Sequence, residues 1–181
     1  MKKRVLYIIL GIVLIVVLCF IALFIRNILE DNRKTNEKME KIQIIKTSFD
    51  EKINDYNKNR SSILSIVDDV VVDKFEGAYD TVNLLLKKEE STVLEVKDYV
   101  SQLDKYCNGK VYPDSYVNSF CLEYKINYEE MVNVFLEDVK NVNGIIEKYN
   151  SSHDKELKIY SGEIEKYIDY NKDGSYSGRE E

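Results

Sequence analysis

Tryptophan is missing from this chain, proline occurs once, at Pro113, and only seven glycines serve 181 residues. So few turn-formers exclude an all-β sandwich or barrel, which needs a turn about every 8–12 residues. Alanine is nearly absent as well, confined to Ala22 and Ala78, while Lys, Asn, Ile and Tyr abound. That bias is the codon usage of an AT-rich genome and fits a low-GC bacterium. Histidine stands once, at His153, in the polar segment 151–155, where a solvated loop residue is the simpler reading than a base. With one histidine and three cysteines there is no zinc pattern. A Ser-His-Asp set, a glycine-rich phosphate loop and H-E-x-x-H are all lacking. Acidic pairs such as Asp68-Asp69 and Glu129-Glu130 read as solvated helix faces. The chain therefore reads as no enzyme.

Charge is also unevenly placed. All 32 acidic residues follow position 29, against 22 of the 26 basic ones after Arg26. This acidic surplus excludes nucleic acid and anionic lipid headgroups as partners of the main domain.

What the chain has in abundance is one long apolar run. Residues 5–25 carry no formal charge and are almost all Val, Ile, Leu or Phe, behind Lys2, Lys3 and Arg4 and ahead of Arg26. At ~1.5 Å per residue such a helix spans ~30 Å, the thickness of a hydrocarbon core. A cleaved signal peptide has a shorter apolar region, ~7–15 residues, and a small-x-small site. Neither Phe20-Ile21-Ala22 nor Ala22-Leu23-Phe24 supplies one, and Val17-Leu18 before Cys19 does not suit lipidation. The segment reads as a retained single-pass anchor, integral to the cell membrane. Lys2–Arg4 favour a cytoplasmic N-terminus, but Arg26, Arg33, Lys34, Lys38 and Lys41 flank the other end. Charge alone leaves the orientation open.

Beyond the anchor the apolar residues recur at three- and four-residue steps, the mark of amphipathic helices. Met39, Ile42, Ile45, Phe49, Ile53 and Tyr56 form one stripe, with Lys46 interrupting it. Residues 57–62 read as a polar break in which Ser61 or Ser62 caps the next helix. That helix runs from Ile63 to Leu86, and its helical period outweighs the β-leaning Val70, Val71 and Val72. Residues 87–90 end it, and Ser91 or Thr92 opens a helix reaching Tyr106. Asn108-Gly109 marks a turn, and Asp114 after Pro113 caps a long helix from Tyr116 to Tyr149. Ser151-Ser152 separates a final short helix ending near Ile168. The fold class is thus all-α: an N-terminal transmembrane helix, then an antiparallel bundle of four or five helices. Its 14 tyrosines fall mostly on the stripes, ring inside and hydroxyl at the rim. The domains read as 1–4 cytoplasmic tail, 5–25 anchor, 26–150 bundle and 151–181 short helix with loop.

Cys107 and Cys121 flank the turn at 108–114. In an exported domain they could close it as a disulfide worth at most ~3 kcal/mol. As residues of helical stripes they fit equally as buried free thiols, and the balance falls on free thiols.

One motif carries chemistry. Residues 169–180 read DYNKDGSYSGRE, which matches D-x-[DN]-x-[DN]-G-x5-E at every fixed position. Over these 12 residues the chain resembles the EF-hand family, and nowhere else. The resemblance implies calcium held by side-chain oxygens of Asp169, Asn171 and Asp173 and by the Ser175 carbonyl. It implies Ser177 as a direct or water-mediated ligand and Glu180 as the bidentate closing one. Gly174 allows the sharp turn, and Ile164 and Ile168 share a face of the entering helix. The chain departs from the family in having no exiting helix and no second loop, so Tyr176 is left to meet a partner's loop. A lone site of this kind implies weak binding, on the order of 10⁻⁴–10⁻³ M, and hence occupancy outside a cell rather than in a cytosol. That chemistry favours an extracytoplasmic domain.

The reading that results is a non-enzymatic envelope protein with an external helical interaction domain and a calcium-binding C-terminal loop. Its partner is a protein or a second copy of itself. The alternative is a membrane-tethered calcium sensor whose tail switches partner binding.

Overall fold

The structure, a computed structural model, describes residues 2–69, 72–154, 156–163, 168–170 and 176–178. It is helical, with α1 over Lys2–Asp69, α2 over Glu76–Cys107 and α3 over Ser115–His153. A 3-10 turn over Val72–Lys74 lies between α1 and α2, and two three-residue strands follow α3: β1, Ile168–Tyr170, and β2, Tyr176–Gly178. The chain divides into two compact units, Met1–Gln43 and Ile44–Glu181.

The first unit is the N-terminal part of α1. From Val13 to Leu29 its large apolar side chains are exposed, Phe20 at 70% and Phe24 at 66%, and by length and composition the helix can cross a bilayer. After this stretch charged pairs one turn apart take over, Lys34 with Glu30 at 2.9 Å and Arg33 with Glu37 at 3.5 Å.

In the second unit three helical segments bury facing stripes. On α1 the fully buried side chains are Phe49, Tyr56 and Ile63, seven residues apart each time. On α2 the buried residues include Val82, Leu86, Glu89, Val93 and Val96, at steps of four and three in turn, and then Leu103 and Cys107. On α3 they include Val117, Phe120, Tyr124, Met131, Phe135, Asp138, Val142, Ile146 and Tyr149, at steps of three, four or seven. A mean repeat of ~3.5 residues is the spacing of a coiled-coil seam. Phe49 meets Phe120 edge-on at 5.7 Å between ring centres. Lys46, which interrupts the α1 stripe, lies 5.1 Å from the ring centres of both Tyr116 and Phe120 and pairs with Asp50.

Three helices replace the four or five expected. Residues 57–62 and 87–92 continue as helix instead of breaking it. The hydroxyls of Ser61 and Ser62 donate to the carbonyls of Asn57 and Lys58, and Thr92 donates to Lys88, each one turn back. A hydroxyl satisfied within its own helix has no capping role. Conversely, within the stretch read as one helix, α1 ends at Asp69 and the 3-10 turn begins at Val72, and Val70 and Val71 lie outside the described residues. Phe75 closes that turn through its N–H to Val72 at 3.1 Å and is fully buried.

The α2–α3 connection follows the sequence. Gly109 takes φ +64°, and the Asp114 carboxylate accepts the Val117 N–H at 2.9 Å. The Tyr112 hydroxyl donates to the Tyr106 carbonyl at 2.5 Å. Against the expectation of free thiols, Cys107 and Cys121 are disulfide-bonded, with Cα atoms 5.1 Å apart. The seam brings both cysteines to the same level beside the turn, which the residue spacing alone does not reveal.

His153 is not a loop residue. It is the last residue of α3, half-buried, its ring stacked on Tyr149 at 4.3 Å and its Nδ1 3.1 Å from the Tyr149 carbonyl. The helix ends on Asp154 in the left-handed region, φ 54° and ψ 43°. No helix follows it among the described residues. Residues 156–163 run as a non-helical strap, and Ile168, expected at a helix end, lies in β1.

Candidate functional site

Of the six residues proposed as calcium ligands, two lie in described backbone. Asp169 is in β1 and Ser177 in β2, and the antiparallel register sets them opposite each other, between Ile168 opposite Gly178 and Tyr170 opposite Tyr176. Opposed residues of an antiparallel pair have Cα atoms ~4.5–5.5 Å apart. The backbone thus brings the first and ninth loop positions together across a two-stranded antiparallel pair. Asn171, Asp173, Ser175 and Glu180 lie outside the described residues. Among the described residues no cluster of three or more His, Cys, Asp or Glu side chains is arranged to hold a metal.

A second polar group sits inside the helical core. Tyr56, Asn59 and Arg60 come from α1, Glu89 from α2 and Asp138 from α3, with Glu89 fully buried and Asp138 2% exposed. Glu89 and Asp138 occupy seam positions, so packing draws them inward. Arg60 reaches in from a half-buried position, its Nε donating to Asp138 Oδ2 at 2.7 Å and its Nη2 to Oδ1 at 3.4 Å. This two-point pair satisfies the Asp138 charge. The Tyr56 hydroxyl, the Asn59 Nδ2 and both Glu89 oxygens are buried without a hydrogen-bond partner among the described residues. Burial pushes the Glu89 carboxyl up to about 8, with Asp138 adding to the effect and Arg60 opposing it. The Tyr56 phenol is also pushed up, by burial first, then by Glu89 and Asp138.

At neutral pH the layer is therefore one ion pair beside one neutral carboxylic acid. A cleft of about 340 Å³ opens on its α1–α3 side, lined by Phe49, Ile53, Tyr56, Arg60 and Met131. Glu89 is sealed from solvent within this layer.

Tyrosine hydroxyls distribute as the sequence implies, ring inside and oxygen at a polar edge. Tyr124 donates to Asp104 at 2.5 Å and Tyr149 to Glu76 at 2.8 Å. Tyr160 donates to Glu90 at 2.8 Å. Of these carboxylates Glu90 falls in the 87–90 stretch that reads as a helix end in the sequence. The seam itself exposes Glu89, since continuing Val82 and Leu86 to Val93 and Val96 requires a core residue at 89, whereas Val139 already bridges Phe135 to Val142 and hides Asp138.

With this geometry in view, similarity adds nothing further: no family model, no curated protein and no solved structure matches the chain.

Proposed function

We propose that the chain is a non-enzymatic, single-pass membrane protein. Its helical domain lies outside the cytoplasm and binds a protein partner or a second copy, and calcium orders its C-terminal loop. The observation that carries this reading is a disulfide between Cys107 and Cys121 in the same chain as an apolar N-terminal helix. Structural disulfides persist in oxidising compartments and are rare in a cytosol. The order of the cross-helix pairs supports the antiparallel bundle of this reading. Cys107 with Cys121, Asp104 with Tyr124 and Glu76 with Tyr149 run oppositely along α2 and α3. Phe49 with Phe120 and Arg60 with Asp138 advance together along α1 and α3.

Calcium enters through the loop sequence. Asp169, Asn171, Asp173, Ser175, Ser177 and Glu180 supply the oxygens, and a weak site fits the millimolar calcium outside cells. Two measurements test the reading. Protease added to intact spheroplasts carrying the full chain removes a C-terminal tag if the domain is external, and full protection overturns the orientation. Calcium titration calorimetry on the full chain in nanodiscs gives a binding isotherm that the Asp169→Ala, Glu180→Ala double variant loses. If both proteins respond alike, calcium leaves the reading.

The strap at 156–163, fastened to α2 and α3 and leading into the loop, supports the sensor as a second reading. A sensor changes oligomeric state or partner affinity with calcium, whereas a structural clip changes melting temperature alone.

A further inference from the structure

The strap is held in an unusual way for a chain segment packing on its own domain. Asn143 and Asn150, two turns apart on α3, each use both ends of the side-chain amide on the backbone of one strap residue. Asn150 accepts the Leu157 N–H at 2.9 Å and donates to the Leu157 carbonyl at 2.8 Å. Asn143 accepts the Tyr160 N–H at 2.7 Å and donates to the Tyr160 carbonyl at 2.9 Å. Tyr79 on α2 donates a fifth bond, to the Lys158 carbonyl at 2.8 Å.

The spacings match. Seven helical residues advance ~10.5 Å, and three residues of a polyproline-II chain advance ~9.3 Å. A pleated strand turns the same backbone edge to one side every second residue, whereas a threefold chain does so every third. Grips on Leu157 and Tyr160 have the threefold repeat. None of these five bonds reads a strap side chain, so any extended peptide offers the same groups.

Selectivity comes from two positions. Tyr160 is the one strap side chain fully enclosed, its hydroxyl donating to Glu90. Two residues on, a Cβ at Gly162 would collide with the Glu90 carboxylate, so a larger residue there must push that carboxylate aside and disturb its bond to Tyr160. The remaining strap side chains contribute little burial, with Ile159 53% exposed and Lys158, Ser161 and Glu163 on the surface. An element with so little apolar burial opens at low cost. Beside it a cleft of about 420 Å³ reaches the buried Asn83 Oδ1, an acceptor with no hydrogen-bond partner among the described residues.

We infer that the α2–α3 face is a peptide-binding groove, clamped by Asn143 and Asn150, for extended segments carrying tyrosine and glycine two residues apart. The chain's own strap fills it as an intramolecular ligand, and a segment of the same chemistry from a partner protein displaces it.

The test uses the full chain in nanodiscs and a fluorescent peptide copying residues 157–163. Tyr160→Ala removes the strap's own anchor and leaves the groove intact; Gly162→Val does so independently. Either variant should bind the peptide roughly tenfold more tightly than the unaltered chain, since the tethered competitor is lost. Adding Asn143→Leu and Asn150→Leu should abolish that gain, and a peptide with phenylalanine for tyrosine should bind roughly tenfold more weakly. Equal binding with and without the asparagines, or no binding by either variant while helicity and the disulfide persist, overturns the groove. A peptide with alanine for the glycine binding as well as the original overturns the selectivity argued from Glu90.

Discussion

Glu89 is a carboxyl whose environment is far from its solution preference. It is fully buried, its oxygens have no hydrogen-bond partner among the described residues, and its carboxyl is raised from 4.5 to about 8. The folded chain thus holds a proton that the unfolded chain releases. Stability from this group is complete below about pH 4.5 and is lost as pH rises through about 8, by on the order of a few kcal/mol. Urea unfolding between pH 5 and 8.5 should show the midpoint falling, and Glu89→Gln should flatten that slope. An unchanged slope in the variant would assign the pH dependence elsewhere. Arg60 makes the complementary case. Arg60→Ala leaves Asp138 charged and enclosed, at a cost of about 3–5 kcal/mol. Arg60→Met with Asp138→Leu removes both charges and should recover most of that loss in the same unfolding assay.

Among the elements, helix ends were legible where a terminus requires special chemistry and illegible where the same residues have another use. Asp114 after Pro113 and the left-handed Gly109 marked the α2–α3 connection correctly, because a cap and a positive φ each demand particular residue types. Ser61, Ser62 and Thr92 looked like caps too, but their hydroxyls bond one turn back inside continuous helices. Composition cannot separate those two uses; only the location of the buried seam can. The disulfide and the strap were illegible for a related reason. Each depends on which residues come level across two helices, and a single stripe carries no register. Of the loop, the D-x-N-x-D-G pattern was plain in the sequence, whereas the strand register at Asp169 and Ser177 was not. Two outcomes follow at this scale. Asp114→Ala should cost about 1 kcal/mol in denaturant unfolding. Reducing the Cys107–Cys121 bond, which closes a short loop, should cost up to about 3 kcal/mol and lower the melting temperature.

For the molecule as a whole, the division of the apolar residues governs behaviour. Val13 to Ile25 leave their large apolar side chains exposed, whereas the second unit gathers apolar residues into a seam. A protein lacking residues 1–26 should remain in solution without detergent at concentrations where the full chain sediments, as read by ultracentrifugation.

The sevenfold recurrence of Phe49, Tyr56 and Ile63 also restricts how the gene can change length. Each added helical residue swings everything after it by about 100°. One codon inserted between Phe49 and Tyr56 would therefore rotate Ile63 and its companions into water, whereas seven codons would return them close to their original bearing. Length variation among descendants of this chain should fall in sevens within the helices and freely only in the connections.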